Sequence, residues 1–182
     1  MKLTIIFLCS IFICIFSGCR STTESEMELE KTILNCATHP PSEEEIAILC
    51  KDKDASINMI LSKANNYTGV QNGKLFFTLY VVCYQSGCLL PDNIDTYFPL
   101  LNESISEYIK LLYYAYFLKE SKKGEIWPDP PSIFLIMCGN NAVPFLEKAA
   151  FSNDSVSEKA AKILIDINAI REKRKTLSEV LR

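Results

Sequence analysis

The sequence predicts an all-α protein of antiparallel helix pairs, stacked as a short array or an irregular helical bundle. Three observations carry that expectation. Ser42-x-x-Glu45, Ser104-x-x-Glu107 and Ser155-x-x-Glu158 each fit a capping box, in which the serine hydroxyl and the glutamate carboxylate satisfy each other's backbone N–H groups. Each box runs into apolar residues spaced three and four apart, the period of one helix face. Convincing apolar–polar alternation over a strand length is absent from the sequence.

In chain order, Met1-Lys2 precedes an apolar run from Leu3 to Phe16 that ends in Ser17-Gly18-Cys19. A basic start, an apolar stretch and small residues describe a secretory signal over residues 1–18. As a helix the run reaches about 21 Å, short of the roughly 30 Å hydrocarbon core, so it makes a poor membrane span. Residues 19–30 are polar and acidic (STTESEMELE over 21–30) and read as a tether grading into a helix, with an all-α domain over 31–182. The first box opens a helix at Ser42. Val70, Lys74, Phe77 and Val81 then form a helical stripe, with Leu75 and Leu79 beside it, and Gly87 stands where a C-terminal glycine would stop the helix. Phe76–Tyr84 and Tyr113–Phe117 hold the β-branched and aromatic clusters best suited to strands, yet both lie inside helical patterns. From the second box, Ile105, Tyr108, Ile109, Leu112, Ala115 and Tyr116 share a face, and Gly124 marks a second stop. Val156, Ala160, Ile163, Leu164, Ile167 and Ile170 follow the third.

Phe16-Ser17-Gly18-Cys19 resembles the lipobox of bacterial lipoproteins, with Phe at a position where Leu is commoner. The resemblance implies that Cys19 is diacylated and becomes the first residue of the mature chain. Multiple acyl chains would hold it firmly to a membrane. Arg20, rather than Asp, implies sorting to the outer membrane by the rule known for enteric lipoproteins. Outside the cytoplasm disulfides are permitted. Of the five cysteines beyond residue 19, Cys36 and Cys50 bracket the turn His39-Pro40-Pro41 and form the candidate disulfide. Cys83 and Cys88 flank Gln85-Ser86-Gly87, a short loop that is harder to close. Cys138, in an apolar run, reads as a buried thiol.

Internal similarity adds a second resemblance. Phe98-Pro99-Leu100-Leu101 is echoed by Val143-Pro144-Phe145-Leu146, and each is followed by a Ser-Glu pair and an amphipathic helix; a fainter copy runs from Asp54 to Val82. Asn141–Ile167, with the turn Asn153-Asp154 and Lys159-Ala160-Ala161-x-x-Leu164, resembles a degenerate HEAT repeat. That resemblance implies a bend at Pro144 and an interface in which Leu146 and Leu164 face each other.

Chemistry has little to work with. His39 is the only histidine, which excludes histidine triads and multi-histidine metal sites. Glu43-Glu44-Glu45 suits a first helical turn, where the macrodipole favours acids. A zinc site from Cys36, His39 and Cys50 lacks a fourth ligand and paired CxxC spacing. No catalytic residue, cofactor or metal is expected, and no small-molecule substrate is evident. A formal charge of −3 argues against a nucleic-acid partner, which needs a basic face. Trp127, the only tryptophan, sits in the proline-stiffened stretch Ile126-Trp127-Pro128-Asp129-Pro130-Pro131 and is the candidate partner-binding residue. Arg171-Glu172-Lys173-Arg174-Lys175 reads as a solvated helix end within reach of anionic lipid or peptidoglycan. The expected function is a lipid-anchored envelope module that binds another protein. A periplasmic immunity or inhibitor lipoprotein is the alternative.

Overall fold

The computed structural model describes residues 24–121, 130–152 and 156–181, with backbone alone at 113–121 and 130. Among the described residues there are nine α-helices, two 3-10 turns and no strand. The helices are α1 (Glu24–Cys36), α2 (Glu43–Lys51), α3 (Lys53–Ala64), α4 (Gly69–Gln85), α5 (Leu101–Ser121), α6 (Pro130–Met137), α7 (Val143–Ala150), α8 (Ser157–Arg171) and α9 (Leu177–Val180). The 3-10 turns are Ile94–Thr96 and Gly139–Asn141.

Helix α1 starts inside the expected tether. Leu29, Ile33 and Cys36 share a buried face, and Glu24 and Glu26 stand in the first turn, where the helix dipole favours them. Glu30 pairs with Lys63 of α3, so the second half of the acidic stretch is structural. At the next start the capping box is complete: Glu45 N–H donates to Ser42 Oγ at 3.3 Å, and Ser42 N–H donates to Glu45 Oε2 at 2.9 Å. Asp52 then ends α2 and caps α3, its carboxylate accepting from Ala55 N–H at 3.0 Å. The buried Ser56 hydroxyl donates to Leu49 O at 2.6 Å and ties the two helices across this joint. Helices α1 to α4 all pack on one another.

The other two serine boxes are placed differently. Helix α5 begins at Leu101, three residues before Ser104, whose hydroxyl donates back to Leu100 O at 2.9 Å. A serine inside a helix finds that carbonyl nearer than any free N–H. Helix α8 begins at Ser157, while Ser155 and the turn Asn153-Asp154 lie outside the described residues, as do Gly124 and the side chains of Tyr113, Tyr114, Tyr116 and Phe117. A box that sequence reading passed over, Thr176-x-x-Glu179, opens α9 with both reciprocal hydrogen bonds.

Helices α5 and α6 pack together, as do α7 and α8, and α5–α7 and α6–α8 contacts close the second group. Helices α7 and α8 are the segment likened to a HEAT pair. Pro144 occupies the first turn of α7, where its missing N–H removes no hydrogen bond, so it starts the helix rather than bending it. Leu146 is fully buried, while α8 buries Ala160, Ile163 and Ile167 and leaves Leu164 half-covered. The stripe Val156, Ala160, Ile163, Leu164, Ile167 and Ile170 is thus the face turned inward, with Leu164 at its edge.

One apolar cluster runs through both groups. Its bridge is aromatic. Phe134 of α6 stacks on Tyr80 of α4 (6.1 Å, 25°) and on Tyr108 of α5 (3.9 Å, 23°), and meets Phe76 of α4 edge-on at 6.5 Å. Polar ties reinforce it. Asn72, buried on α4, donates to Ala64 O and Tyr97 O at 3.2 and 2.9 Å. Asn141 donates to Pro91 O and Cys138 O at 3.0 and 2.9 Å.

Candidate functional site

Helix α4 carries the feature that best repays attention to function. Leu75, Thr78, Leu79, Val82 and Cys83 form its buried face. The stripe expected from Val70, Phe77 and Val81 lies on another side. Val70 is 75% exposed, Phe77 49% and Tyr84 45%, and the three are seven residues apart, within about 20° of one line on a helix of 3.6 residues per turn. Gly73 lies exposed between them and Val81 is half-buried beside them. Lys74, on the same helix, donates to Thr38 O and holds α4 to the end of α1. Tyr84 stacks on Tyr80 at 6.4 Å and 12°, so the outer stripe connects through Tyr80 to Phe134 in the core. Burial, with Cys138, Tyr84 and Tyr108 nearby, pushes the Tyr80 hydroxyl up to about 12. On α1, Met27 and Leu34 repeat the seven-residue spacing at 55% and 39% exposure.

The cysteines divide by environment. Cys36, Cys50, Cys83, Cys88 and Cys138 are all free thiols. Cys36 is buried at the end of α1, and burial with the nearby Glu45 carboxylate pushes its thiol up to about 11. Cys50 lies instead over the end of α4, where Ser86 Oγ is 3.9 Å from its sulfur. The candidate pair Cys36–Cys50 is therefore unbonded, the two sulfurs having different neighbours. Cys138 is fully buried and its thiol is pushed up by burial, as an apolar run implies. Cys83 and Cys88 meet at the helix end, where Cys88 Sγ donates to Cys83 O at 3.6 Å; the adjacent thiol, with burial, raises Cys83, and the adjacent Cys83 thiol lowers Cys88 to about 7. The sequence signal was Cys83-x-x-x-Gly87-Cys88, a helix-stop glycine with cysteines on both sides.

His39 is exposed, with Nδ1 2.9 Å from Pro40 O and Nε2 3.7 Å from Glu45 Oε1. Hydrogen bonds from the Ser42 backbone N–H, then from its hydroxyl, hold the Glu45 carboxyl below its ordinary value despite partial burial, with His39 and Asn35 adding to the effect. Glu45 thus serves the helix cap. Among the described residues no cluster of three or more histidine, cysteine or acidic side chains is placed to hold a metal.

An open hollow of about 440 Å³ lies between α5 and α7, lined by Asn102, Glu103, Ser106, Glu107 and Phe145. Three of its polar groups are engaged locally: Asn102 Nδ2 donates to Asp95 Oδ2 at 3.4 Å, Ser106 Oγ donates to Asn102 O at 3.0 Å, and Glu107 pairs with Lys110 at 2.6 Å. At the far end of α8, Arg174 pairs with Glu172 at 2.5 Å and Lys175 with Asp166 at 3.6 Å, which offsets part of the basic cluster. Cys19, the lipobox Phe16-Ser17-Gly18-Cys19 and Trp127 lie outside the described residues. No helix among the described residues is long and apolar enough to cross a membrane. Compared with protein families, curated proteins and solved structures, the chain matches none.

Proposed function

We propose that this chain is a lipid-anchored protein of the bacterial cell envelope whose helical domain binds another envelope protein. Cys19 carries the lipid, and the outer membrane, on its periplasmic side, is the site of attachment. The observation that carries the binding role is the exposed line Val70, Phe77 and Tyr84 on α4. A line of aromatic and β-branched side chains at two-turn spacing suits a partner helix laid along it, with each ring an anchor at low entropic cost. Rigidity supports the same reading, because the stripe is backed by the Tyr84–Tyr80–Phe134 stack.

A photocrosslinking residue at position 77, in cells expressing the full chain, tests the binding role. One discrete adduct at 77, missing at the solvent-facing position 162 and lost when Val70 and Tyr84 become glutamate, supports it. The same smear at both positions overturns it, and a lytic enzyme or toxin in the adduct favours the inhibitor reading. The anchor has its own test. Cys19→Ser is expected to abolish labelling with radioactive palmitate, and persistent label in the variant overturns the lipid assignment.

A further inference from the structure

Helix α4 ends in a turn whose backbone dictates which side chains touch. Gly87 is left-handed at φ +67°, Gly87 N–H donates to Tyr84 O at 3.1 Å, and Cys88 N–H donates to Cys83 O at 3.0 Å. These are the two bonds of a Schellman motif, which folds the second residue beyond the cap onto the residue three from the helix end. An apolar pair fills those two places in most proteins. Here they are Cys83 and Cys88. The Cys88–Cys83 backbone bond brings the two cysteine backbones together across the turn. The five-residue separation that looked hard to close is closed by the turn itself.

We propose that Cys83 and Cys88 form a dithiol site for thiol–disulfide exchange, with Cys88 attacking, Cys83 resolving, and an accessible disulfide as the substrate class. Cys88 is partly exposed while Cys83 is buried, so an incoming disulfide reaches Cys88 first. Cys88 Sγ lies 3.6 Å from Cys83 O, the neighbouring Cys83 thiol favours the Cys88 thiolate, and the exposed Lys53 ammonium adds positive potential; Asp54 opposes it and Cys50 lies beside Cys83. With its thiol lowered to about 7, Cys88 is largely available as thiolate near neutrality, the form that attacks. The fully buried Cys138 and Cys36 have their thiols raised and serve as internal contrasts.

In the first step Cys88 thiolate attacks one sulfur of the disulfide R–S–S–R′, the S–S bond breaks, and R′S⁻ leaves and takes up a proton. The Cys83 thiol then gives its proton to solvent and attacks Cys88 Sγ, expelling RS⁻, which is protonated in turn. Two electrons pass from the cysteine pair to the disulfide. The protein keeps a Cys83–Cys88 bond, and two thiols are released. This site is independent of the protein-binding role of the α4 stripe.

The test treats the reduced full-length chain with oxidised glutathione, quenches with acid and maps disulfides by peptide mass. The wild type is expected to yield a Cys83–Cys88 bridge, and Cys83→Ser to accumulate glutathione on Cys88. Iodoacetamide should alkylate Cys88 about tenfold faster than Cys50 at pH 7, with a half-maximal rate near pH 7 that moves upward in Lys53→Gln. A bridge from Cys50 to either residue overturns the assignment. So does glutathione appearing first on another thiol, or a Cys88 alkylation midpoint at the ordinary thiol value near 8.5. The wild-type measurements stand whether or not a variant folds.

Discussion

Leu146 has no exposed surface, whereas Leu164 on the partner helix is half-covered and Lys162 points to solvent. Truncating Leu146 to Ala removes a buried isobutyl group and leaves a cavity, so a loss of about 2–5 kcal/mol is expected in urea unfolding. Leu164→Ala is expected to lose clearly less, and Lys162→Ala to stay within about 0.5 kcal/mol. Equal losses at 146 and 164 would mean that Leu164 is buried as deeply as Leu146. Gly87 is governed by backbone rather than space. A Cβ there meets nothing within 4 Å, but φ +67° is strained for an L side chain. Gly87→Ala is accordingly expected to lose about 1–2 kcal/mol by the same measurement, and a neutral result would show that the turn relaxes.

Among the helices, caps separate what is local from what is contextual. Ser42 and Glu45 form their box because cap and third helical residue need only each other. Ser42→Ala should cost about 1 kcal/mol. It should leave most of the acid dependence of stability in place, because alanine keeps the backbone N–H, whereas Glu45→Gln should flatten it. Glu45 has its carboxyl lowered in the folded state, chiefly by the Ser42 backbone N–H. The unfolded chain therefore binds this proton more tightly. The stabilisation is complete above the unfolded value, about 4.3, and is lost as pH falls through the lower folded value. Urea midpoints between pH 7 and pH 3 check the sign, and a wild-type midpoint that rises on acidification while Glu45→Gln stays flat would refute it. Ser104 carries the same pattern yet lies inside α5, because the preceding turn at Ile94–Thr96 and Phe98 has already started the helix: Leu101 N–H donates to Phe98 O at 2.9 Å. Motif and helix start coincide only where the upstream chain leaves the N–H groups free.

Across the whole molecule, Phe134 joins the two helix groups through rings on α4 and α5. Phe134→Ala is expected to lower stability by about 3–5 kcal/mol while far-UV circular dichroism remains helical in shape. A loss below about 1 kcal/mol would mean that the groups are held elsewhere. The polar ties at Asn72 and Asn141 act at the same junction, each donating to two carbonyls that belong to different segments.

The helical class, the cap at Ser42 and the stop at Gly87 were legible because they depend on residues within one or two turns of each other. The Cys83–Cys88 contact is equally local, yet spacing alone read it as hard to close, because the left-handed turn at Gly87 that brings the two backbones together is a feature of the folded chain. The buried faces of α5 and α8 were legible too, but that of α4 was not. Val70, Phe77 and Val81 satisfy the helical period as well as Leu75, Leu79 and Val82 do, and only the packing of α1, α2 and α3 against α4 chooses between them. The tether likewise became half a helix because Leu29 and Ile33 found a buried face and Glu30 found Lys63, thirty-three residues away. Periodicity alone marks a helix as amphipathic, but the direction of its apolar side is a relation between helices, and only tertiary contacts supply it.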